Sequence, residues 1–108
     1  MSSYKAVTVE IATTKYETDR ELISVAMERL QSSCGINEGF LISNPMERFG
    51  WAFFKILFKV ELLLAMQQKL ADQIAISKGK KHDDKFINFL INYFEYNNCK
   101  VKVKLLED

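Results

Sequence analysis

The hydrophobic period of this chain changes several times, and each change marks an element. Over residues 4–13, Val7, Val9 and Ile11 alternate with Ala6, Thr8 and Glu10. Period two with β-branched residues predicts a half-buried strand. Thr18 and Glu21 then make a T-x-x-E capping box, and Asp19 puts negative charge where a helix N-terminus favours it. Leu22, Ile23, Ala26, Met27 and Leu30 follow on one helical face. Gly35 suits the left-handed position that closes such a helix, so a helix is expected over about residues 18–33.

Phe40, Leu41 and Ile42 form a short apolar run before Asn44-Pro45, a turn signal, and predict a second strand. Residues 51–61 carry the strongest alternation. Ala52, Phe54, Ile56, Phe58 and Val60 make one row, and Trp51, Phe53, Lys55, Leu57, Lys59 and Glu61 the other. These two strands should pair as a hairpin through the loop at 45–50. From Leu62 the period lengthens, with Leu63, Met66, Leu70 and Ile74 at helical spacing and Gly79 among Lys78, Lys80 and Lys81 at the end. Asp83 is placed to cap a further helix whose stripe is Phe86, Phe89, Leu90, Tyr93 and Phe94, ended by Asn97-Asn98. A last strand over 99–105 alternates Val101, Val103 and Leu105 with Lys100, Lys102 and Lys104.

The expected order is therefore β-α-β-β-α-α-β. It predicts an α+β fold, a ferredoxin-like split β-α-β sandwich with one additional helix: a four-stranded antiparallel sheet with its helices on one face. At 108 residues the chain is expected to form a single domain over 1–108. Its 48% hydrophobic and 27% charged residues are a globular composition.

Fifteen basic against fourteen acidic residues leave a formal charge of +1, which favours neither nucleic acid nor anionic membrane in bulk. The most apolar stretch, 51–66, is interrupted by Lys55, Lys59 and Glu61 and is shorter than the roughly 20 residues of a spanning helix. The first six residues lack a signal-peptide apolar region, and Cys34 and Cys99 form no CxxC pair. Two reduced thiols and a cytoplasmic location are expected.

Chemistry is sparse. His82 is the only histidine and reads as a polar loop residue beside Asp83 and Asp84; no metal or cofactor is expected. Cys34, beside a helix end, reads as a half-buried thiol rather than a nucleophile. The glycines at 35, 39, 50 and 79 make neither G-x-G-x-x-G nor a P-loop. Lys78-Gly79-Lys80-Lys81 reads as a solvated loop before it reads as a phosphate contact. No set of acid, base and nucleophile is recognisable, and a non-enzymatic protein is expected.

One surface stands out. If helices cover the face bearing Val7, Val9, Ile11, Phe54, Ile56, Phe58, Val101 and Val103, the opposite face is open. It carries Thr8 and Glu10, then Trp51, Phe53, Lys55, Leu57 and Lys59, then Lys100, Lys102 and Lys104. An aromatic patch rimmed with lysine has the make-up of an interface core. The favoured function is protein interaction or regulation through this face, with a second copy or a larger protein as partner.

Single-stranded RNA or DNA is the alternative partner. Residues 49–56, Phe-Gly-Trp-Ala-Phe-Phe-Lys-Ile, resemble the RNP1 motif of RNA-recognition motif domains. That resemblance implies that Trp51 and Phe53 stack bases. Phe49 stands where that family has a basic residue, Ile56 where it has an aromatic one, and Thr8 where strand one carries a ring. In a third reading Trp51 and Phe53 are covered by the N-terminus or the hairpin loop, and the three lysines protect an edge strand.

Overall fold

The computed structural model describes residues 5–106. Tyr4, where the sequence pattern begins the first strand, lies outside them. The elements run β1 (Val7–Thr13), α1 (Tyr16–Ser33), β2 (Phe40–Ile42), β3 (Met46–Arg48), β4 (Trp51–Phe58), α2 (Val60–Lys69), α3 (Ala71–Ala75), α4 (His82–Tyr96) and β5 (Lys102–Leu106). The protein is α+β, with one antiparallel sheet and helices. Its hydrogen-bonded order is β2-β4-β1-β5, with β3 also on β4.

The two central strands hold the core. Val9 faces Ile56 and Ile11 faces Phe54 in register, and β5 adds Val103 beside Ile11 and Leu105 beside Val9. Onto this face α1 brings Ile23, Ala26, Met27 and Leu30, α2 brings Leu62 and Met66, and α4 brings Phe86, Phe89, Leu90 and Phe94. Each fully buried side chain of this size contributes about 1.5–3 kcal/mol relative to exposure. The alternation read from the sequence is the physical basis of the layer, because residues of one parity share one face.

Five strands are present among the described residues where the sequence pattern predicts four. The extra strand is the outer one divided in two. Ile42 pairs with Ile56 and Met46 with Phe53, so residues 43–45 oppose only Phe54 and Lys55. One surplus residue makes a bulge. Ser43 fastens it from both ends: its N–H donates to the Lys55 carbonyl at 2.8 Å, and its Oγ accepts from the Lys55 N–H at 2.8 Å. Pro45, which has no N–H to give, sits in the interruption. The hairpin therefore closes not through a loop over 45–50 but through Phe49 and Gly50 alone. Both have left-handed φ, 51° and 81°, as a tight turn matched to strand twist requires.

Several boundaries move for identifiable reasons. β4 stops at Phe58 rather than Glu61, because Leu62 and Met66 are buried on a helix that starts at Val60. Leu62, rather than Leu63, lies deepest. That helix breaks at Leu70, whose ψ of 15° leaves the helical region, so three helices rather than two follow β4. α4 starts at His82, with Lys81 rather than Asp83 at the cap; the Lys81 N–H donates to Asp84 at 3.4 Å. β5 begins at Lys102, not Cys99.

α1 begins at Tyr16, so Thr18 and Glu21 make no capping box. Its end is as predicted: Gly35 has φ 73°, and the Ile36 N–H donates to the Gln31 carbonyl at 2.9 Å. Asp19 does more than complement the helix dipole. It is buried, and the Thr13 hydroxyl donates to its carboxylate. The same hydroxyl oxygen accepts the Lys15 N–H at 3.0 Å, and the Cys99 thiol lies 3.7 Å from the Asp19 carbonyl oxygen. The end of β1, the first turn of α1 and the approach to β5 are thus tied at one point. Burial, reinforced by the charge of Asp19 and the hydrogen bond to it, pushes the Cys99 thiol up to about 12.

Phe49→Asn relieves a bulky side chain of a left-handed backbone and should stabilise the chain by about 1 kcal/mol, read as a higher urea midpoint. At Cys99 the raised thiol pKa means that the folded chain holds a proton the unfolded chain releases. This contribution is whole below the ordinary value of 9.0 and is lost as pH rises towards 12. Relative to Cys99→Ala, the unmodified chain should lose stability progressively across that window; parallel curves would show that Cys99 titrates alike in both states.

Candidate interaction surface

The open face follows from the same pleat that builds the core. Reading across the strands, Leu41, Leu57, Thr8 and Leu106 make one row; Lys55, Glu10 and Lys104 the next; Met46, Phe53, Ala12 and Lys102 a third. Arg48 faces Trp51 at the end. Directly opposed residues on one face are close enough to interact, so each row is a physical unit. Glu10 lies between two lysines, which suits the three of them.

The structure brings together most of the residues singled out from the sequence. Trp51, Phe53 and Leu57 lie on this face and are half-buried, while Lys55, Lys102 and Lys104 are exposed. Two residues leave the row. Lys59 lies beyond the end of β4, at the N-terminus of α2, and borders a shallow cleft with Arg20, Ser24 and Glu28 of α1. Lys100 precedes β5 and borders a cleft at the end of the sheet. Both shifts have one cause: each strand is three residues shorter than the sequence pattern implies, β4 at its end and β5 at its start, so the alternation that would carry these lysines onto the face does not reach them.

Trp51 does not stand free. The Lys102 ammonium lies 5.0 Å from the centroid of its ring, a cation–π contact. Ala12, the partner of Lys102 on β1, leaves room for the lysine stem to reach across. Trp51 also borders a cleft of about 680 Å³ with Thr14, Lys15, Thr18, Lys100 and Lys102. Residues 1–4, one proposed cover for the rings, lie outside the described residues.

The largest apolar exposures of the sheet layer lie on its outer hairpin, which sequence reasoning passed over. Leu41 is 55% exposed, Met46 60% and Phe49 99%. Leu41 and Met46 belong to a run too short and too interrupted to show a period. The signal for Phe49 is weak: Gly50 marks a turn, but a bulky residue is not the type expected at the left-handed position before it. A hollow of about 510 Å³ opens beside the bulge, bordered by Glu10, Ser43, Met46, Arg48, Phe53 and Lys55 among others. On the helical side, Ile76 and Tyr96 border a separate groove.

No group of three or more histidine, cysteine or carboxylate side chains is placed to hold a metal among the described residues. Both cysteines are buried and free. No described helix is long and apolar enough to cross a membrane. Comparison with protein-family models, curated proteins and solved structures finds no match to this chain.

Removing the ammonium tests the arrangement around the indole. Lys102→Ala should cost about 0.5–1 kcal/mol of stability and shift the emission of Trp51, the one tryptophan of the chain. An unchanged spectrum would mean that Lys102 does not cover the ring in solution.

Proposed function

We propose that this is a non-enzymatic protein-interaction or regulatory domain that works through the open face of its sheet, joined to a second copy or to a larger protein. One observation carries the reading: exposed Leu41 beside half-buried Leu57 and exposed Met46 beside half-buried Phe53 make two apolar rows flanking Lys55 and Glu10, with half-buried Trp51 and exposed Phe49 at the hairpin end. Apolar side chains exposed in this number on one face are costly in water and suit a surface that something covers. Phe49 adds to it. A bulky residue with left-handed φ and almost complete exposure stores strain while contributing nothing to packing. Such strain is often retained where the side chain has a use.

The scaffold under this reading is ferredoxin-like. Its support is the order β2-β4-β1-β5, with β2 and β3 taken as one bulged strand and the broken run of α2 and α3 as one helical connection followed by α4. A cytoplasmic location belongs to the same proposal; its support is the pair of unpaired, buried thiols.

Single-stranded nucleic acid is the second reading, and the cations of the face favour it: Arg48, Lys55, Lys102 and Lys104 against Glu10. It requires Lys102 to leave the Trp51 ring before a base stacks there. Quenching of Trp51 by oligonucleotides at low salt, where phosphate attraction is greatest, would support it.

Two substitutions test the main reading. Trp51→Ala should weaken association with a partner more than it weakens folding. Phe49→Asn should separate the two properties further, yielding a more stable chain that associates less well. Association unchanged in both variants, measured by sedimentation and by capture of the partner, would remove the face from the interaction.

A further inference from the structure

We infer that the partner of this face is an acidic segment of another protein that also carries apolar side chains, seated in the hollow beside the bulge; the inference rests on the open-face reading above and narrows it. The hollow of about 510 Å³ has at its border apolar side chains, Met46 and Phe53, two cations, Arg48 and Lys55, and one carboxylate, Glu10, so positive charge is in excess there. Arg48 and Lys55 are exposed, so neither charge is committed to the core. Ser43 holds the bulge through both of its hydrogen bonds to Lys55, so the hollow belongs to a fixed backbone. An extended segment alternating carboxylate and apolar side chains matches this surface. Its apolar groups cover Met46 and Phe53, and its carboxylates meet Arg48 and Lys55.

Charge decides among occupants. The strand positions of this face hold four cations and one carboxylate, on a chain whose total formal charge is only +1. Two copies stacked face to face would set these cations against each other, and like charges brought together disfavour a partner. An acidic chain gains where a second copy loses. Nucleic acid would use the same charges but leaves Met46, Leu41 and Leu57 without apolar cover; the apolar side chains of a peptide supply it.

The test uses the full chain, isotope-labelled, with three probes: a synthetic peptide alternating glutamate and leucine, the same peptide with lysine replacing glutamate, and oligothymidine of matched length. The glutamate peptide should shift the amide signals of Glu10, Ser43, Phe53 and Lys55 and bind less tightly as salt rises. The double variant Arg48→Glu, Lys55→Glu should weaken its binding by about tenfold or more, with signal dispersion showing that the variant is folded.

Equal binding of the lysine peptide would overturn the acidic partner and leave the open-face reading intact, since apolar cover alone would then suffice. Tighter binding of oligothymidine would overturn it in favour of nucleic acid, and a concentration-dependent dimer that broadens the same signals in favour of a second copy. Shifts confined to the groove of Ile76 and Tyr96 would overturn both the inference and the reading beneath it. Absence of binding by the glutamate peptide would overturn the inference.

Discussion

β1 lies between β4 and β5, and its register with both is the constraint on which the rest of the structure depends. Val9 and Ile11 are completely buried, each facing an apolar partner on either side. A slip of one residue would turn Thr8 and Glu10 into the core and expose Val9 and Ile11. The helices would then have nothing apolar to cover. The same register places Glu10 between Lys55 and Lys104 and Ala12 beneath Lys102, so the composition of the open face is a consequence of how the buried face is satisfied.

Two local devices hold this arrangement at its ends. At one end, Asp19 joins β1, α1 and the approach to β5: its buried carboxylate accepts from the Thr13 hydroxyl, and its main-chain carbonyl lies against the Cys99 thiol. A buried carboxylate without such a partner would be strongly destabilising, so the cluster is locked as a unit. On the helical side, the Tyr93 hydroxyl donates to the Ala26 carbonyl at 3.0 Å, and Arg29 donates to Asn97 at 2.9 Å, fastening α4 to α1. Burial raises the Tyr93 phenol above its ordinary range, against the opposing influence of Asn97 and Arg29. Stability is thus concentrated in the core and these ties, while the outer hairpin carries a strained turn and exposed apolar groups.

The functional reading rests on that division. The hairpin residues Leu41, Met46 and Phe49 contribute little to the core, and Trp51 is shielded on one side only by a lysine that solvent can reach. Burying apolar area there would supply affinity, and the surrounding cations would supply selection and a faster encounter. The groove bordered by Ile76 and Tyr96 lacks this combination of a pleated, in-register surface with cations across it.

The amino-acid pattern alone determined which residues of the central strands face the helices. Alternation in β1 and β4 and the stripe of α4 are strong, and hydrophobic burial reads them directly. Glycine at 35 likewise marked the end of α1, because its left-handed φ suits few other residues. The partition of Trp51, Phe53, Lys55 and Leu57 onto the open face was legible for the same reason. Only tertiary structure decided where alternation stops, since a helix beginning at Val60 buries Leu62 and Met66 more fully than a longer strand would. It also decided that the outer strand bulges at 43–45, that Asp19 is buried, and that Lys59 and Lys100 leave the row. Those outcomes depend on partners distant in the chain, and no local period records them.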